Sequence, residues 1–191
     1  MAKPALNINA LNTKVTRLLR QAEAEAVTFG RRAGIACPGD CGKCCVTVEI
    51  EASPLSLLPL AIDALRSGKA EALLEKTAIA PRAPCLFYTP SSPFHCTVYA
   101  TRPLVCRLFG FAGRRDKRGL PEFRACRHMD RTPRPGPAPP LFSTWHIRLE
   151  GLYPPLAEPM PLRSALRRVL LWLLLLDTLH GCHPPGGRHA A

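Results

Sequence analysis

The chain has 191 residues with 26 Lys and Arg against 14 Asp and Glu, a net charge of +12, and a 47% apolar fraction. Such an apolar fraction excludes disorder throughout, and the length favours one domain with appendages that can bury a core without crosslinks. Nine cysteines, an odd number with two of them adjacent, are too sparse for the disulfide framework of a small secreted domain.

The first thirty residues hold no unbroken apolar stretch of the length a secretory signal needs, so the thiols are expected in a reducing cytoplasm. The leader is Arg-bearing and free of acid until Glu23, a pattern shared with transit peptides, but it reads more simply as an amphipathic helix. Leu11, Val15, Leu18, Leu19, Ala22 and Ala26 recur every three or four residues, which predicts a helix ending near Gly30 or Gly34. Cys44, Val46, Val48 and Ile50 alternate with Cys45, Thr47, Glu49 and Glu51, the period-two pattern of a short strand. That strand would turn Cys44 toward the core and Cys45 away from it. Ser53 and Pro54 read as the cap and first residue of a helix running through Leu57, Leu58, Ile62 and Leu65 to a break at Gly68, and 69–79 gives the next helix.

From Pro81 to Cys126 short apolar pieces, 85–88 and 96–100, are separated by Pro and Ser, with one helical turn after Pro103. Pro133, Pro135, Pro137, Pro139 and Pro140 mark a polyproline-like connector. A Leu-rich helix over 162–180 follows, then a loose Gly- and Pro-containing tail. The most apolar run, Val169 to Leu176, is flanked by Arg167, Arg168 and Asp177 and is far shorter than the roughly 20 residues a membrane span needs. The expected fold is therefore α+β, mainly helical, with short strands and irregular loops around a cysteine metal cluster. Its expected divisions are an N-terminal helix (1–34), a cysteine-cluster metal-binding domain (35–132), a Pro-rich connector (133–161) and a Leu-rich helix with its tail (162–191).

The densest chemical signal is Cys37-Pro-Gly-Asp-Cys41-Gly-Lys-Cys44-Cys45. The two-residue spacing of Cys41 and Cys44 lets both sulfurs meet one metal around a tight turn that Gly42 permits. Cys85, Cys96, Cys106 and Cys126 follow, so eight thiols lie between 37 and 126, twice the number a tetrathiolate site uses; only Cys182 stands apart. Free buried cysteines scattered at random do not account for four in nine positions. Neighbouring side chains of an extended segment diverge, so Cys44 and Cys45 are expected to serve two sites, or one site and one reactive thiol.

These residues resemble the YkgJ-type cysteine-cluster family, a zinc- or iron-chelating domain named for a CxxCxxCC motif. The likeness runs through Cys37, Cys41, Cys44 and Cys45, then Pro84-Cys85-Leu-Phe87, Cys96-Thr-Val-Tyr99 and Arg102-Pro103-Leu-Val-Cys106-Arg107, and ends near Cys126. One departure is the first gap, which holds Pro38, Gly39 and Asp40 instead of two residues. The resemblance implies that all eight cysteines are metal ligands. A related cluster in flagellin lysine methylases makes a metal-dependent enzyme the competing class.

Thiolate ligation suits zinc and iron-sulfur clusters equally, and either carries negative charge that the protein must offset. Residues 102–134 supply ten Lys and Arg against Asp116, Glu122 and Asp130. Arg102 and Arg107 are placed to donate to sulfur, and Cys106 near a helix start is expected to gain thiolate character. Arg114, Arg115, Lys117 and Arg118 form a basic turn near Phe111 and Phe123 that suits nucleic acid, but no reading module accompanies it, so a solvated or charge-compensating role is favoured. His95 and His128 stand close enough to Cys96 and Cys126 to replace a thiolate. His180, Cys182, His183 and His189 read as incidental tail residues. No nucleotide-binding fingerprint or nucleophile elbow appears. The leading expectation is a metal-binding protein holding zinc or iron, with an iron-sulfur cluster included, in a structural or redox role.

Overall fold

Asn7 accepts a hydrogen bond from the Ala10 N–H at 2.9 Å and opens α1 (Ile8–Ala33), whose buried stripe is Leu11, Val15, Leu18, Leu19, Ala22, Ala26 and Phe29. The computed structural model describes residues 6–38, 41–46, 50–78, 84–91, 94–123, 125–129, 136 and 138–180, with the side chains of 179 and 180 excepted. Gly34, at φ 71°, closes α1 in the left-handed conformation that spares glycine a Cβ clash.

The strand expected over 44–50 is not what the backbone forms. Lys43–Val46 is a helical turn, α2, and Val46 is exposed, so Cys44 does not point into the core with it. Residues 47–49 lie outside the described residues. Extended pairing begins only at β1 (Glu51–Ala52), whose partner comes from far along the chain. Ser53 then caps a 3-10 turn over Pro54–Leu57, its hydroxyl accepting from the Ser56 N–H at 3.2 Å. The expected helix follows as α3 (Leu58–Arg66), and α4 (Ala70–Thr77) lies within the stretch predicted after Gly68.

The described part of 84–129 is built from short pieces. A 3-10 turn (Tyr99–Thr101) leads to α5 (Leu104–Leu108), the single turn expected after Pro103. β2 (Gly113–Arg115) and β3 (Pro121–Phe123) form a hairpin whose turn is fastened by Asp116, with Oδ1 accepting from the Arg118 and Leu120 N–H groups at 2.8 Å each.

Within the stretch expected to be connector, α6 (Phe142–Glu150) forms instead, and its Trp145 and Leu149, one turn apart, are buried. The flanking prolines mask that spacing in the sequence. Pro133 to Pro135 and Pro137 lie outside the described residues, but Pro140 accepts from the Gly113 N–H at 2.8 Å and so ties the connector's end to the hairpin. After a 3-10 turn at Pro154–Leu156, β4 (Met160–Pro161) pairs antiparallel with β1, and α7 (Leu162–His180) is the expected Leu-rich helix.

The result is a mainly helical α+β fold. α7 packs on α3, α4 and the Pro54 turn, while α1 packs on α3, α5 and α6. Val15, Leu19, Leu55, Leu57, Leu58, Leu149, Leu166, Val169 and Leu170 are fully buried between them, each contributing about 1.5–3 kcal/mol. No helix among the described residues is long and apolar enough to cross a membrane.

Candidate metal centre

The cysteines hang from the edge of this core on loops that long-range backbone bonds hold in place. Cys45 follows the Gly42 turn, its N–H donating to the Gly42 carbonyl at 2.9 Å, and its own carbonyl accepts from the Cys85 N–H at 2.9 Å. Buried Phe87 anchors the 84–88 segment. Its carbonyl accepts from Thr97 N–H at 2.9 Å, and Tyr88 pairs with Cys96 in an antiparallel bridge. Cys106 sits on α5, which Leu104 and Leu108 fix to the core. Cys126 is reached through Gly110, at φ 79°, where a Cβ would stand 3.2 Å from the Cys126 Cβ and 2.7 Å from Met129 Cε.

Cys44 is the centre of this arrangement. Its Sγ lies 3.8 Å from Cys45 Sγ, because a helical turn, unlike a strand, lets adjacent side chains lean together. The expectation that the pair faces opposite ways is therefore corrected. The Cys45 thiol hydrogen bond is the largest influence on Cys44 and draws its titration below the ordinary cysteine range, with its own backbone N–H and Arg102 helping against burial. Cys45 is correspondingly pushed far up by holding the shared proton, by burial, and by Cys44, Cys85 and Cys96. Burial, then Cys96 and Cys44, raises Cys85; burial raises Cys96, with Cys44 adding to it. Cys106 is pushed up to about 12 by burial first and then by Cys85, Cys44 and Cys96, so the helix start does not give it the thiolate character expected from the sequence. Cys37 is raised by partial loss of water and by Cys41, Cys44 and Cys126.

The thiols spread along the sequence thus lie within one another's electrostatic reach, in two overlapping groups. Cys45, Cys85, Cys96 and Cys106 each feel the charge of Cys44, while Cys37 feels those of Cys41, Cys44 and Cys126. None of these eight cysteines is joined in a disulfide among the described residues. Among the described residues, no set of three Cys, His, Asp or Glu side chains is already gathered to hold an ion. The donor set nonetheless fits a thiophilic metal. Four sulfurs about 2.3 Å from a tetrahedral zinc are about 3.8 Å from each other, which is the separation of the Cys44 and Cys45 sulfurs.

Arg102 is the cation common to Cys37, Cys44, Cys96 and Cys106, opposing the rise of each thiol or drawing it down. It is positioned by Glu23, at 2.6 Å, and by the Tyr99 ring, 3.9 Å from its guanidinium carbon, and its buried Nε has no partner among the described residues. Arg107 does not reach sulfur as expected. Its guanidinium pairs with Glu23 and donates to the carbonyls of Arg102, at 2.9 Å, and Ala100, at 2.7 Å. Sequence reasoning missed Glu23; its signal was an acid one turn after Leu19 on the buried edge of α1. His128 is turned to its neighbour, its Nε2 accepting from Arg127 Nε at 3.3 Å. Cys182, His183 and His189 lie outside the described residues.

Residues 36–129 match the family model described as "CxxCxxCC: Putative zinc- or iron-chelating domain". No curated protein and no solved structure matches the chain.

Proposed function

We propose, from the premise that residues 36–129 are a CxxCxxCC-family domain, that this protein holds zinc or iron through Cys37, Cys41, Cys44, Cys45, Cys85, Cys96, Cys106 and Cys126. The metal has a structural or redox role, and an iron-sulfur cluster is included in the reading. The observation that carries it is the contact of the Cys44 and Cys45 sulfurs at 3.8 Å with three further thiols in electrostatic reach. Binding displaces the thiol protons to solvent, and Arg102 offsets the charge this leaves. A reducing, cytoplasmic location belongs to the same reading, because cysteines outside disulfides are the state such a compartment maintains.

Anaerobic purification followed by metal and acid-labile sulfide analysis tests the proposal. Zinc or iron bound to the chain is expected, and sulfide separates a cluster from a mononuclear ion. Because the two sulfurs share one neighbourhood, Cys44→Ser and Cys45→Ser should lower the metal content alike. Protein that emerges metal-free and does not take up zinc(II) or iron(II) would overturn the reading.

A further inference from the structure

Among the described residues, His95 is the one non-glycine residue with positive φ, at 51°. Holding a side-chain-bearing residue there costs on the order of 1 kcal/mol, and the cost is met because the Thr89 N–H bonds the His95 carbonyl at 3.2 Å beside the Tyr88–Cys96 bridge. The conformation lays the imidazole on Gly42. A Cβ at residue 42 would stand 2.8 Å from two ring carbons of His95, and Gly42 itself is at φ 51°. Two backbone positions are thus given over to bringing one ring against the peptide between Cys41 and Lys43.

Among the described residues, none answers that ring's polarity. Both Nδ1 and Nε2 are buried, and neither has a hydrogen-bond partner. Each such group left unmet costs about 1–3 kcal/mol, and a neutral imidazole asks for two different things, an acceptor for its N–H and an electron-pair acceptor for its other nitrogen. A thiolate sulfur supplies the first and a metal ion the second. Cys41 and Cys44 flank in sequence the turn the ring already covers.

We propose that His95 is a metal ligand, so that the centre at the Cys41–Cys45 turn is mixed thiolate and imidazole. The inference rests on the metal-binding reading above. One ring nitrogen gives its lone pair to the ion, and the other keeps its proton and donates it to a neighbouring thiolate. An imidazole in place of one thiolate lowers the negative charge of the site by one and directs it toward mononuclear zinc or iron over an all-thiolate cluster.

X-ray absorption at the edge of the metal in the anaerobically purified full chain tests this, since an imidazole ligand adds outer-shell multiple scattering that sulfur ligands lack. The wild-type chain should show it. His95→Ala should lose it, with at least about a 10-fold loss of affinity in chelator competition. His95→Cys should also lose it but retain the metal, with the fitted sulfur number raised by one. Sulfur-only scattering in the wild-type chain, or an imidazole signal that survives in His95→Ala, would overturn the inference while leaving the metal-binding reading intact. A wild-type chain holding no metal would overturn both.

Discussion

Val15, Leu19, Leu57, Leu58, Leu166 and Leu170 meet between α1, α3, α7 and the Pro54 turn, whereas the described part of 84–129 contributes only Phe87, Leu104 and Leu108 to the buried apolar core. The first region has helices long enough to present continuous apolar stripes. The second has strands of three residues, a five-residue helix and isolated bridges, which bury fewer side chains fully against the entropy of ordering them. What it has instead is thiols, and a Glu23 carboxylate reaching across from α1 to Arg102 and Arg107. On the metal-binding proposal, the contrast teaches that the two regions are ordered by different means and should fail separately.

Metal removal should separate them most widely. Chelation under reducing conditions is expected to release amide-exchange protection through 84–129 while α1, α3, α4 and α7 keep theirs; structural zinc sites supply up to about 10–16 kcal/mol of folding free energy in the smallest domains. An unchanged thermal transition after verified metal loss would break the comparison. Alkali should sharpen it. Burial and the neighbouring thiols hold Cys106 up to about 12 in the folded chain, above the ordinary cysteine value, so the metal-free folded state binds the extra proton. Its contribution is present at neutral pH and is lost as pH rises from about 8.5 toward that value. Urea midpoints should therefore fall with rising pH in the metal-free protein and hold in the loaded one, where the thiol is already deprotonated.

Leu166→Ala acts from the opposite side. The side chain is fully buried in α7, and truncation there should cost about 2–5 kcal/mol whether or not metal is bound, read as a shift in the unfolding midpoint of the helical region. A cost that vanished on metal loading would mean that the metal also supports the helical frame. Glu23→Gln tests the link between the regions. Arg107 is only 7% exposed, but Glu23 keeps 31% of its side chain in solvent, which tempers the loss to about 1–3 kcal/mol. Exchange should quicken mainly in 99–108. A loss within a few tenths of a kcal/mol would reduce the pair to a surface contact.

The same division decides what the sequence reveals. The stripe of α1, the Ser53-Pro54 start and the Leu-rich α7 are local patterns, and each appears in the fold as the spacing predicts. The alternation at Cys44 to Ile50 misleads because Val46 is exposed and the turn is fixed by Cys85, a partner no local pattern reveals. α6 is hidden by the prolines around it, although Trp145 and Leu149 are one turn apart. At the candidate site the residue types are legible, since cysteines announce themselves, but their neighbourhoods are not. That Cys44 touches Cys45, that Arg107 serves Glu23 and that His95 lies on Gly42 all follow from contacts set by tertiary structure.

The smallest effect should come from the joint between the two regions. Gly34 ends α1 at φ 71°, with its N–H bonded to the Arg31 carbonyl at 3.3 Å and the next N–H, that of Ile35, bonded back to the Gly30 carbonyl at 2.9 Å. This cap turns Ile35 into a small cluster with Phe29 and Ala33, against which Phe111, Phe123 and Met129 of the cysteine-bearing half pack. It also aims the chain at Cys37. Gly34→Ala places a Cβ in the left-handed region and should cost about 1 kcal/mol, with Gly34→Asn milder because asparagine tolerates that conformation. If the joint serves both regions, the alanine variant should lower the unfolding midpoint and also speed exchange at 111–129, with metal content unchanged. A loss confined to the end of α1 would place Gly34 wholly within the helical region and leave Glu23 as the stronger connection.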